Sequence, residues 1–190
     1  MSRNVDVAII GAGTAGLTAF HQVKQVTANV VLINDGPYGT TCARVGCMPS
    51  KVLIKVAHDF ARRTHFETFG IKGSNNLTLD RAQVMKHTRE QRDWFVARVM
   101  DSVNNIGEHN LKGRAKFVEP QMLEVNGERI HAQKVIIATG SRPIVPPDWR
   151  KLGKRVITTD EFFELETLPD SMAVIGLGVI GSELGQALAH

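Results

Sequence analysis

The segment VDVAIIGAGTAG, residues 5–16, decides the fold. It begins with a largely apolar, β-branched run, which is typical of a strand buried on both faces. Three glycines follow in the spacing GxGxxG, and the stretch after them places Leu17, Phe20, Val23 and Val26 roughly on one side of a helix. Residues 29–34, NVVLIN, have the pattern of a second strand. The sequence therefore predicts a βαβ unit of about 30 residues, with the glycines in the turn between strand and helix.

The glycines of this turn favour a dinucleotide ligand. Gly11 allows the tight turn, Gly13 lets the backbone approach a pyrophosphate, and Gly16 lets the helix pack closely on the strand. The first helical turn, with Thr14 and Ala15, offers unpaired N–H groups and a partial positive charge to the phosphates. A merely tight turn is the alternative, and it is less favoured because the three glycines coincide with a βαβ unit.

A ribose-binding acid is expected at the end of the second strand of such a unit. That position holds Asn34, with Asp35 next to it. Either Asn34 serves as a neutral ribose partner or Asp35 reaches round to the ribose. We favour Asn34 in the position of the acid.

Composition excludes several other classes of protein. The chain has 190 residues, of which 43% are hydrophobic and 22% charged, with a net charge of +4, as in an ordinary globular protein. Lys and Arg are scattered, so no nucleic-acid partner is predicted. No apolar run approaches the ~18 residues of a membrane helix, and the first residues lack the pattern of a secretory signal. We therefore expect a cytoplasmic protein with no membrane partner.

Further elements follow the first βαβ unit. Residues 76–110 form a long amphipathic pattern with Asp80 as its N-cap, which predicts a helix. Short strands are expected over 114–119 and 122–132, the second interrupted by an asparagine-glycine hairpin turn. A buried strand is expected from residue 134 and ends before a proline-rich stretch.

The segment GTTCARVGCMPSK, residues 39–51, contains both cysteines of the chain. They could be a redox pair, two inert thiols or half of a metal site. Zinc needs four ligands, and the nearby His58 and His65 lie at spacings that fit no usual motif, so no metal site is predicted. In a reducing compartment, a close cysteine pair favours a catalytic or metal-binding role over a structural disulfide.

The spacing of the two cysteines is incompatible with a disulfide on a regular helix. On a regular helix, the Cα atoms of Cys42 and Cys47 would lie about 8–9 Å apart, beyond the ~7 Å limit for a disulfide. A bond therefore requires a departure from the helix, for which Gly46 and Pro49 are suited. A helix N-terminus and Lys51 are expected to lower a thiol pKa. The redox pair ranks first, inert thiols second and a metal site last.

A dinucleotide turn combined with a cysteine pair favours FAD as the first nucleotide. A hydride carried by a nicotinamide needs no thiols, whereas two cysteines beside a flavin can pass an electron pair to a disulfide. Residues 171–190 repeat the order of strand, GxGxxG and helix. There, Gly176, Gly178 and Gly181 are predicted to begin an NAD(P) site.

Four motifs together resemble one known family. GAGTAG, GTTCARVGCMPSK, IIATGSRP and VIGLGVIGSELG are similar, in this order, to fingerprints of the pyridine nucleotide–disulfide oxidoreductases. This family contains dihydrolipoamide dehydrogenase, glutathione reductase and mercuric reductase. The resemblance covers the whole chain and corresponds to the N-terminal part of a typical member.

The resemblance implies a role for individual positions. Cys47 would be the thiol nearer the flavin that receives electrons, and Cys42 the interchange thiol that attacks the disulfide substrate. Lys51 would lie beside flavin N5 and pair with Glu183. The other cofactor-binding positions that it implies are Gly39, Thr40, Thr41, Ala115, Ala138, Thr139, Gly140 and Ser141.

The chain also departs from the family pattern. Thr40, Thr41, Ala43 and Arg44 replace the commoner residues around the first cysteine, and Asn34 replaces the usual Glu. These changes leave the chemistry in place but weaken the assignment of a substrate. Ser50 makes the motif more similar to the dihydrolipoamide and mercuric enzymes than to glutathione reductase.

The expected organisation is an α/β fold. Residues 1–150 would form a Rossmann-like FAD-binding domain with a parallel sheet and a small antiparallel β-meander, 151–170 a connector, and 171–190 the first βα unit of a second Rossmann-like domain. The implied parent is a dihydrolipoamide dehydrogenase-like homodimer that acts on a dithiol or disulfide, with 2-oxo acid dehydrogenase complex components as partners. Glutathione reductase-like or mercuric reductase-like activity and a non-catalytic FAD-binding module are the alternatives. The fragment itself is not expected to turn over.

Overall fold

The computed structural model describes residues 2–190, which divide into two compact units. The first unit contains the chain up to Thr41 together with Val96–Arg142. The second contains Cys42–Phe95 and Pro143–His190. Each unit has its own hydrophobic core.

A six-stranded sheet forms the first unit. Its strands are β1 (Ser2–Ile10), β2 (Val30–Asn34), β3 (Asn110–Lys112), β4 (Lys116–Glu119), β5 (Met122–Val125) and β6 (Glu128–Ile137). The order is β3-β2-β1-β6-β5-β4. The four strands from β3 to β6 in this order pair in parallel, whereas β4, β5 and β6 pair antiparallel. The α/β fold with a parallel sheet and an antiparallel meander is thus confirmed, with the meander inside the same sheet.

The central strands are apolar because both of their faces are covered. Val30, Val31, Leu32 and Ile33 of β2 have no exposed surface, and alternate residues belong to two different clusters. The helix α1 (Thr14–Val23) contributes Leu17 and Phe20 to one of these clusters, and Val23 packs against it. The prediction for Val26 was wrong, because the helix ends before it and its side chain is 88% exposed. The predicted βαβ unit is therefore present, and its buried strands account for the continuous apolar run.

The strand β6 differs from the prediction. The sequence predicts two separate strands on either side of residue 133, but Glu128–Ile137 is continuous. Its first part pairs antiparallel with β5, and residues 129–137 pair in parallel with β1. Gln133 and Lys134 are exposed, so the strand passes through these polar residues without burying them.

Helices form the second unit. They are α2 (Thr41–Val45), α3 (Cys47–Ala61), α4 (Arg81–Asn104), α5 (Pro147–Arg150), α6 (Thr159–Phe162) and α7 (Val179–Ala189), with 3-10 turns at Arg62–Phe69, Ser74–Asn76 and Gly153–Arg155. A further 3-10 turn, Gly107–His109, belongs to the first unit. Two boundaries between the units fall within α2 and α4, and the third lies between Arg142 and Pro143. None of the helices in residues 2–190 combines the length and the apolarity that a membrane crossing requires.

The long predicted helix is shorter than expected at its C-terminal end. It begins after Asp80, whose Oδ1 accepts hydrogen bonds from the N–H groups of Ala82 at 3.0 Å and Gln83 at 3.1 Å. The predicted N-cap is therefore confirmed. The helix ends at Asn104, and Asn110, the last residue of the predicted pattern, instead begins β3, which pairs with β2.

Three arginines of α4 hold the segment before the second glycine motif. The Arg92 guanidinium donates to the carboxylates of Asp93 and Glu164, and the Arg89 guanidinium donates to the carbonyl of Leu165. Arg81 bonds to the carbonyl of Pro169 and to a carboxylate oxygen of the next residue. Phe162 and Phe163, at the end of α6, are buried in the core of the second unit. The segment from Phe162 to Pro169 is thus attached to α4 by apolar and polar contacts.

The strand predicted for residues 171–175 is not formed. Within residues 2–190, the strands that the structure describes all belong to the sheet of the first unit. A strand requires a neighbouring strand for its N–H and C=O groups. The helix α7 does form after the glycine motif, so the second βα unit is present as a glycine turn and a helix.

Candidate functional site

The glycine turn of the first unit has the geometry that the sequence predicts. Gly11 has φ of 107°, a value that favours glycine, and a Cβ added to it would lie 2.3 Å from the carbonyl oxygen of Ala138. A Cβ added to Gly16 would lie 1.8 Å from the carbonyl oxygen of Gly11. A Cβ on Gly13, by contrast, would meet no heavy atom of residues 2–190 within 4 Å. Two glycines therefore close the turn, and the third leaves open space beside the backbone.

The N-terminus of α1 suits a negatively charged ligand. Its N-cap is Gly13, and within residues 2–190 no side chain caps it and no acidic residue lies in its first turn. Thr14 and Ala15 of that turn are exposed. The N–H groups and the positive end of the helix dipole are thus available to an anion. These features fit the pyrophosphate of FAD.

Asn34 connects the end of β2 to the glycine turn. Its Oδ1 accepts a hydrogen bond from the N–H of Ala12 at 3.2 Å, and its Nδ2 donates to the carbonyl of Gly36 at 2.8 Å. A carboxylate in this position could accept from Ala12 but could not donate to Gly36. The Asn34 amide therefore hydrogen-bonds both to a backbone donor and to a backbone acceptor, which a carboxylate could not do. Sequence reasoning placed Asn34 here but did not find this bridging role.

Asp35 and Arg114 form an exposed pair beside this position. The Arg114 Nε and an Asp35 carboxylate oxygen lie 4.0 Å apart, and both side chains are more than half exposed. Sequence reasoning missed Arg114, although it directly precedes the predicted site residue Ala115. The sequence signal for Arg114 is a basic residue next to one of the cofactor-binding positions that the resemblance implies.

The other predicted cofactor-binding positions of the first unit lie at two places. Ala138, Thr139, Gly140 and Ser141 follow the end of β6, and the Ala138 N–H donates to the carbonyl of Ile10 at 2.8 Å. This bond places Ala138 against the glycine turn. Gly39 and Thr40 are buried just before α2, while Thr41 is its exposed first residue. Ala115 is half-buried and packs against one of the core clusters.

The helix that contains the cysteines is broken, as their spacing required. The helix α2 ends at Val45, Gly46 has φ of −131° and ψ of −119°, and α3 begins at Cys47. Pro49 lies in the first turn of α3, where the missing N–H has no intrahelical partner in any case. The predicted departure from a regular helix is therefore confirmed.

The break brings the two cysteine side chains together. Both are free thiols, Cys42 half-buried and Cys47 exposed. The Cys42 sulfur has a hydrogen bond with the Cys47 side chain and another with the Cys47 backbone. Because Cys47 is the first residue of α3, the Cys42 sulfur lies at the N-terminus of this helix. The Ser50 hydroxyl donates to the Cys47 carbonyl at 3.1 Å.

The pKa of Cys42 does not follow the prediction. Burial raises this pKa above its usual value, and the hydrogen bond and the charge of the Cys47 side chain raise it further. The Cys47 backbone and the charge of Lys51 lower it but do not outweigh these effects. The expected lowering by Lys51 and a helix N-terminus therefore exists, but the net direction was wrong, since burial disfavours the thiolate.

Lys51 and Glu183 lie on packed helices of the second unit. Lys51 is on α3 and Glu183 on α7, and these two helices contact each other. Both side chains are exposed. Among the ion pairs of residues 2–190, none joins these two residues, so their pairing stays a prediction.

The second glycine motif repeats the geometry of the first. Gly176 has φ of 99°, and a Cβ added to Gly181 would lie 1.9 Å from the Gly176 carbonyl oxygen. Gly178 is the N-cap of α7, and a Cβ there would meet nothing within 4 Å in the described residues. Gly178 and Gly181 thus have the surroundings of Gly13 and Gly16. Gly176 shares the positive φ of Gly11 but not its close contact, since a Cβ there would meet nothing within 4 Å in the described residues. The turn is formed even though the strand before it is not.

Metal binding was not predicted. Within residues 2–190, the structure places no three His, Cys, Asp or Glu side chains together in a group that could hold an ion.

Comparison with known proteins gives the relationship. The chain is 36% identical over 194 residues to a dihydrolipoyl dehydrogenase of Staphylococcus aureus, a match of 97% of this chain and 40% of the relative. It is 35% identical to a dihydrolipoyl dehydrogenase of Geobacillus stearothermophilus, covering 96% of the chain and 39% of that protein. A mercuric reductase of Lysinibacillus sphaericus is 32% identical, with coverage of 98% and 34%. The chain therefore spans about 40% of the length of its dihydrolipoyl dehydrogenase relatives.

A solved structure supports the fold. The Cu(II) complex of the HOCl-induced flavoprotein disulfide reductase RclA from Escherichia coli superimposes with a TM-score of 0.78 at 23% identity. The match covers 98% of this chain and 40% of the RclA chain. The model of the family described as pyridine nucleotide-disulphide oxidoreductase matches residues 5–190. The chain belongs to the pyridine nucleotide-disulphide oxidoreductase family.

Proposed function

We propose that this chain is the FAD-binding part of a flavoprotein disulfide oxidoreductase that passes electrons between NAD(P)H, FAD and the Cys42–Cys47 pair. The observation that carries the proposal is the contact between the two cysteine side chains across the break at Gly46. Inert thiols would not need this break, because a continuous helix accommodates isolated cysteines. Membership of the family agrees with the same reading.

The residues of the glycine turn would hold the dinucleotide. The open side of Gly13 and the first turn of α1 would receive the pyrophosphate, and Asn34 or Asp35 would lie toward the adenosine ribose. When bound, FAD supplies a two-electron carrier between a pyridine nucleotide and the thiol pair. Further contacts are proposed for Gly39, Thr40, Thr41, Cys42, Cys47, Lys51, Ala115, Ala138, Thr139, Gly140 and Ser141.

The two thiols would exchange with the substrate in balanced steps. The Cys42 thiolate attacks one sulfur of the disulfide substrate, a mixed disulfide forms, and the first substrate thiol leaves with a proton from solvent. The Cys47 thiolate then attacks the Cys42 sulfur, and the second substrate thiol leaves in the same way. The substrate gains two electrons and two protons, which the cysteine pair loses. The reverse sequence oxidises a dithiol substrate.

The names of the relatives support a substrate class for the full-length protein. Two dihydrolipoyl dehydrogenases match nearly the whole chain, so a dihydrolipoyl-type dithiol is the first candidate substrate. The motif with Gly176, Gly178 and Gly181 would begin the NAD(P) site, and Glu183 would pair with Lys51. We further propose a cytoplasmic homodimer whose partners are 2-oxo acid dehydrogenase complex components. Domain boundaries at residues 150 and 170 belong to the same proposal.

Reduction of Hg(II) is the second candidate function, because a mercuric reductase is 32% identical over 98% of the chain. The extended protein that contains this chain would be assayed with lipoamide, glutathione disulfide and Hg(II) as alternative substrates. Preferential turnover of lipoamide supports the first candidate, and preferential turnover of Hg(II) replaces it with the second.

The central proposal is tested on the 190-residue chain itself. The purified protein is incubated with FAD, and bound flavin is measured by visible absorption after gel filtration. We expect bound flavin, and we expect thiol titration to detect both cysteines after reduction but neither after mild oxidation. Cys47→Ser provides the control, since it removes the resolving thiol. A protein that takes up no FAD, or whose thiols never pair, contradicts the proposal.

A further inference from the structure

Asn34 occupies the expected position of the ribose-binding acid, but the backbone engages both ends of its amide. Its Oδ1 accepts from the Ala12 N–H, and its Nδ2 donates to the Gly36 carbonyl. The second N–H of Nδ2 could donate to a ribose hydroxyl and equally to a phosphate oxygen. A neutral amide in this position therefore does not distinguish a 2′-hydroxyl from a 2′-phosphate.

Asp35 places a negative charge directly beside this position. It follows the last residue of β2, and its side chain is 55% exposed. Dinucleotides bind outside the carboxyl ends of parallel strands, so Asp35 lies at the end of the sheet where the adenosine ribose is proposed. A carboxylate accepts hydrogen bonds from ribose hydroxyls but repels a phosphate. Asp35 therefore has the discriminating property that Asn34 lacks.

A backbone hydrogen bond brings Arg114 close to Asp35. The Gly113 N–H donates to the Asn34 carbonyl at 2.9 Å, which joins the segment after β3 to the end of β2. The Arg114 Nε lies 4.0 Å from an Asp35 carboxylate oxygen, and the Arg114 side chain is 80% exposed. An ion pair this exposed is weak. A guanidinium released from it could bind a phosphate through two parallel hydrogen bonds.

We propose that the Asp35–Arg114 pair determines the ribose specificity of the first nucleotide site. Asp35 selects an adenosine whose ribose hydroxyls are unmodified, as in FAD, and excludes 2′-phosphorylated nucleotides. It also occupies the Arg114 guanidinium, which in its absence would bind a 2′-phosphate. The inference rests on the proposed FAD-binding role of the first glycine turn. It assigns the selectivity to Asp35 and leaves Asn34 the role of positioning the turn.

The test uses ADP-ribose and its 2′-phosphate, which differ in one group on the adenosine ribose. Each is added to the 190-residue chain with bound FAD, and equilibrium dialysis measures the flavin that it displaces. Only the site that holds FAD contributes to this signal, so binding at the second glycine motif is not counted. In the unmodified chain, ADP-ribose should bind at least about tenfold more tightly than its 2′-phosphate.

Asp35→Asn should abolish this preference. The variant removes the repulsive charge and releases Arg114, so the ratio of the two inhibition constants should fall about tenfold or more. When Arg114→Gln is added to Asp35→Asn, the attraction for the 2′-phosphate is lost as well. The ratio of this double variant should therefore lie between those of the unmodified chain and Asp35→Asn.

Two further variants separate selectivity from other effects. Asn34→Ser shortens the side chain that bridges Ala12 and Gly36, so it should weaken both ligands equally and keep the ratio. Glu119→Gln is the matched control for charge, since it also removes one exposed carboxylate from the first unit. Glu119 ends β4, at the opposite edge of the sheet from β3, the neighbour of β2. Its ratio should equal that of the unmodified chain.

Each outcome has a defined meaning. An unchanged ratio in Asp35→Asn, or an equal change in Glu119→Gln, overturns the inference. A ratio that changes in Asn34→Ser but not in Asp35→Asn assigns the selectivity to Asn34 instead. Both carboxylates are exposed, so these two variants should fold, which circular dichroism verifies. If the unmodified chain holds no FAD to displace, the proposed cofactor site itself fails.

Discussion

At the scale of single residues, two glycines of the first turn are expected to have different roles: Gly16 allows close packing within the protein, and Gly13 leaves space for the ligand. A Cβ on Gly16 would lie 1.8 Å from a backbone oxygen, whereas a Cβ on Gly13 would meet open space in the described part of the chain. Gly16→Ala should therefore destabilise the first unit by roughly 3 kcal/mol. Gly13→Ala should leave stability unchanged but weaken FAD binding about tenfold or more, because its methyl group occupies the space proposed for the pyrophosphate.

Urea unfolding followed by circular dichroism and a flavin fluorescence titration measure these two effects. Gly36→Ala is the control, because a Cβ there also meets nothing within 4 Å of the residues described. It should change neither quantity. Normal FAD affinity in a folded Gly13→Ala variant would place the pyrophosphate elsewhere.

The pKa of Cys42 leads to a second prediction at this scale. Lys51 lowers this pKa but burial raises it more, so the net pKa lies above the usual value of 9.0. Lys51→Gln removes one lowering effect and should move the pH midpoint of Cys42 alkylation still higher. Because the folded pKa is raised, the associated stabilisation is present below the unfolded pKa and is lost as the pH rises through the folded pKa.

Peptide-resolved alkylation rates measured from neutral to alkaline pH test this prediction. Lys55→Gln serves as the control, since Lys55 lies one turn further along α3 and pairs with Asp59. Its pH midpoint for Cys42 should equal that of the unmodified chain. A lower midpoint in Lys51→Gln would mean that the lysine charge does not favour the Cys42 thiolate.

At the scale of elements, the sequence predicted the features that depend only on residues close together in the chain. The glycine turn, the N-cap at Asp80 and the break at Gly46 follow from backbone geometry within a few residues, and all three are present. The continuous strand β6 could not be predicted, since its polar residues 133 and 134 remain in a strand because β1 pairs with this part. The two bonds of Asn34 and the burial of Cys42 likewise depend on the tertiary arrangement.

The attachment of residues 164–170 to α4 gives a prediction for the second unit. Burial lowers the pKa of Arg92, but its hydrogen bonds with Asp93 and Glu164 outweigh burial and raise the pKa. The Arg92 side chain is only 11% exposed, while both carboxylates are more than half exposed. Arg92→Met should therefore lower the free energy of unfolding of the second unit by about 2 kcal/mol, which is less than breaking a fully buried ion pair would cost.

Lys86→Met is the matched control on the same helix. Lys86 and Glu90 form an exposed pair at 3.9 Å, so this change should cost less than about 0.5 kcal/mol. Both tryptophans, Trp94 and Trp149, belong to the second unit, so their fluorescence during urea unfolding reports its stability. Equal costs for the two variants would show that the Arg92 contacts contribute no more than a surface pair.

At the scale of the whole molecule, the segment around the second glycine motif exposes an unusual amount of apolar surface. Ile175, Leu177, Val179 and Ile180 are between 62% and 88% exposed, within six consecutive positions. A single exposed apolar residue is common in globular proteins, but a contiguous group of this kind promotes association. Residues 171–175 pair with no strand of the described chain, so their backbone N–H and C=O groups could bond to a neighbouring chain.

The 190-residue chain should therefore associate with itself through this segment as its concentration rises. The double variant Leu177→Ser and Ile180→Ser should lower the apparent mass in sedimentation velocity experiments at high concentration. Val26→Ser is the control, because Val26 is also 88% exposed but lies after α1 in the first unit. It should associate like the unmodified chain. If the double variant associates as strongly as the unmodified chain, the chains meet through another surface, and the apolar segment around the second glycine motif does not cause the association.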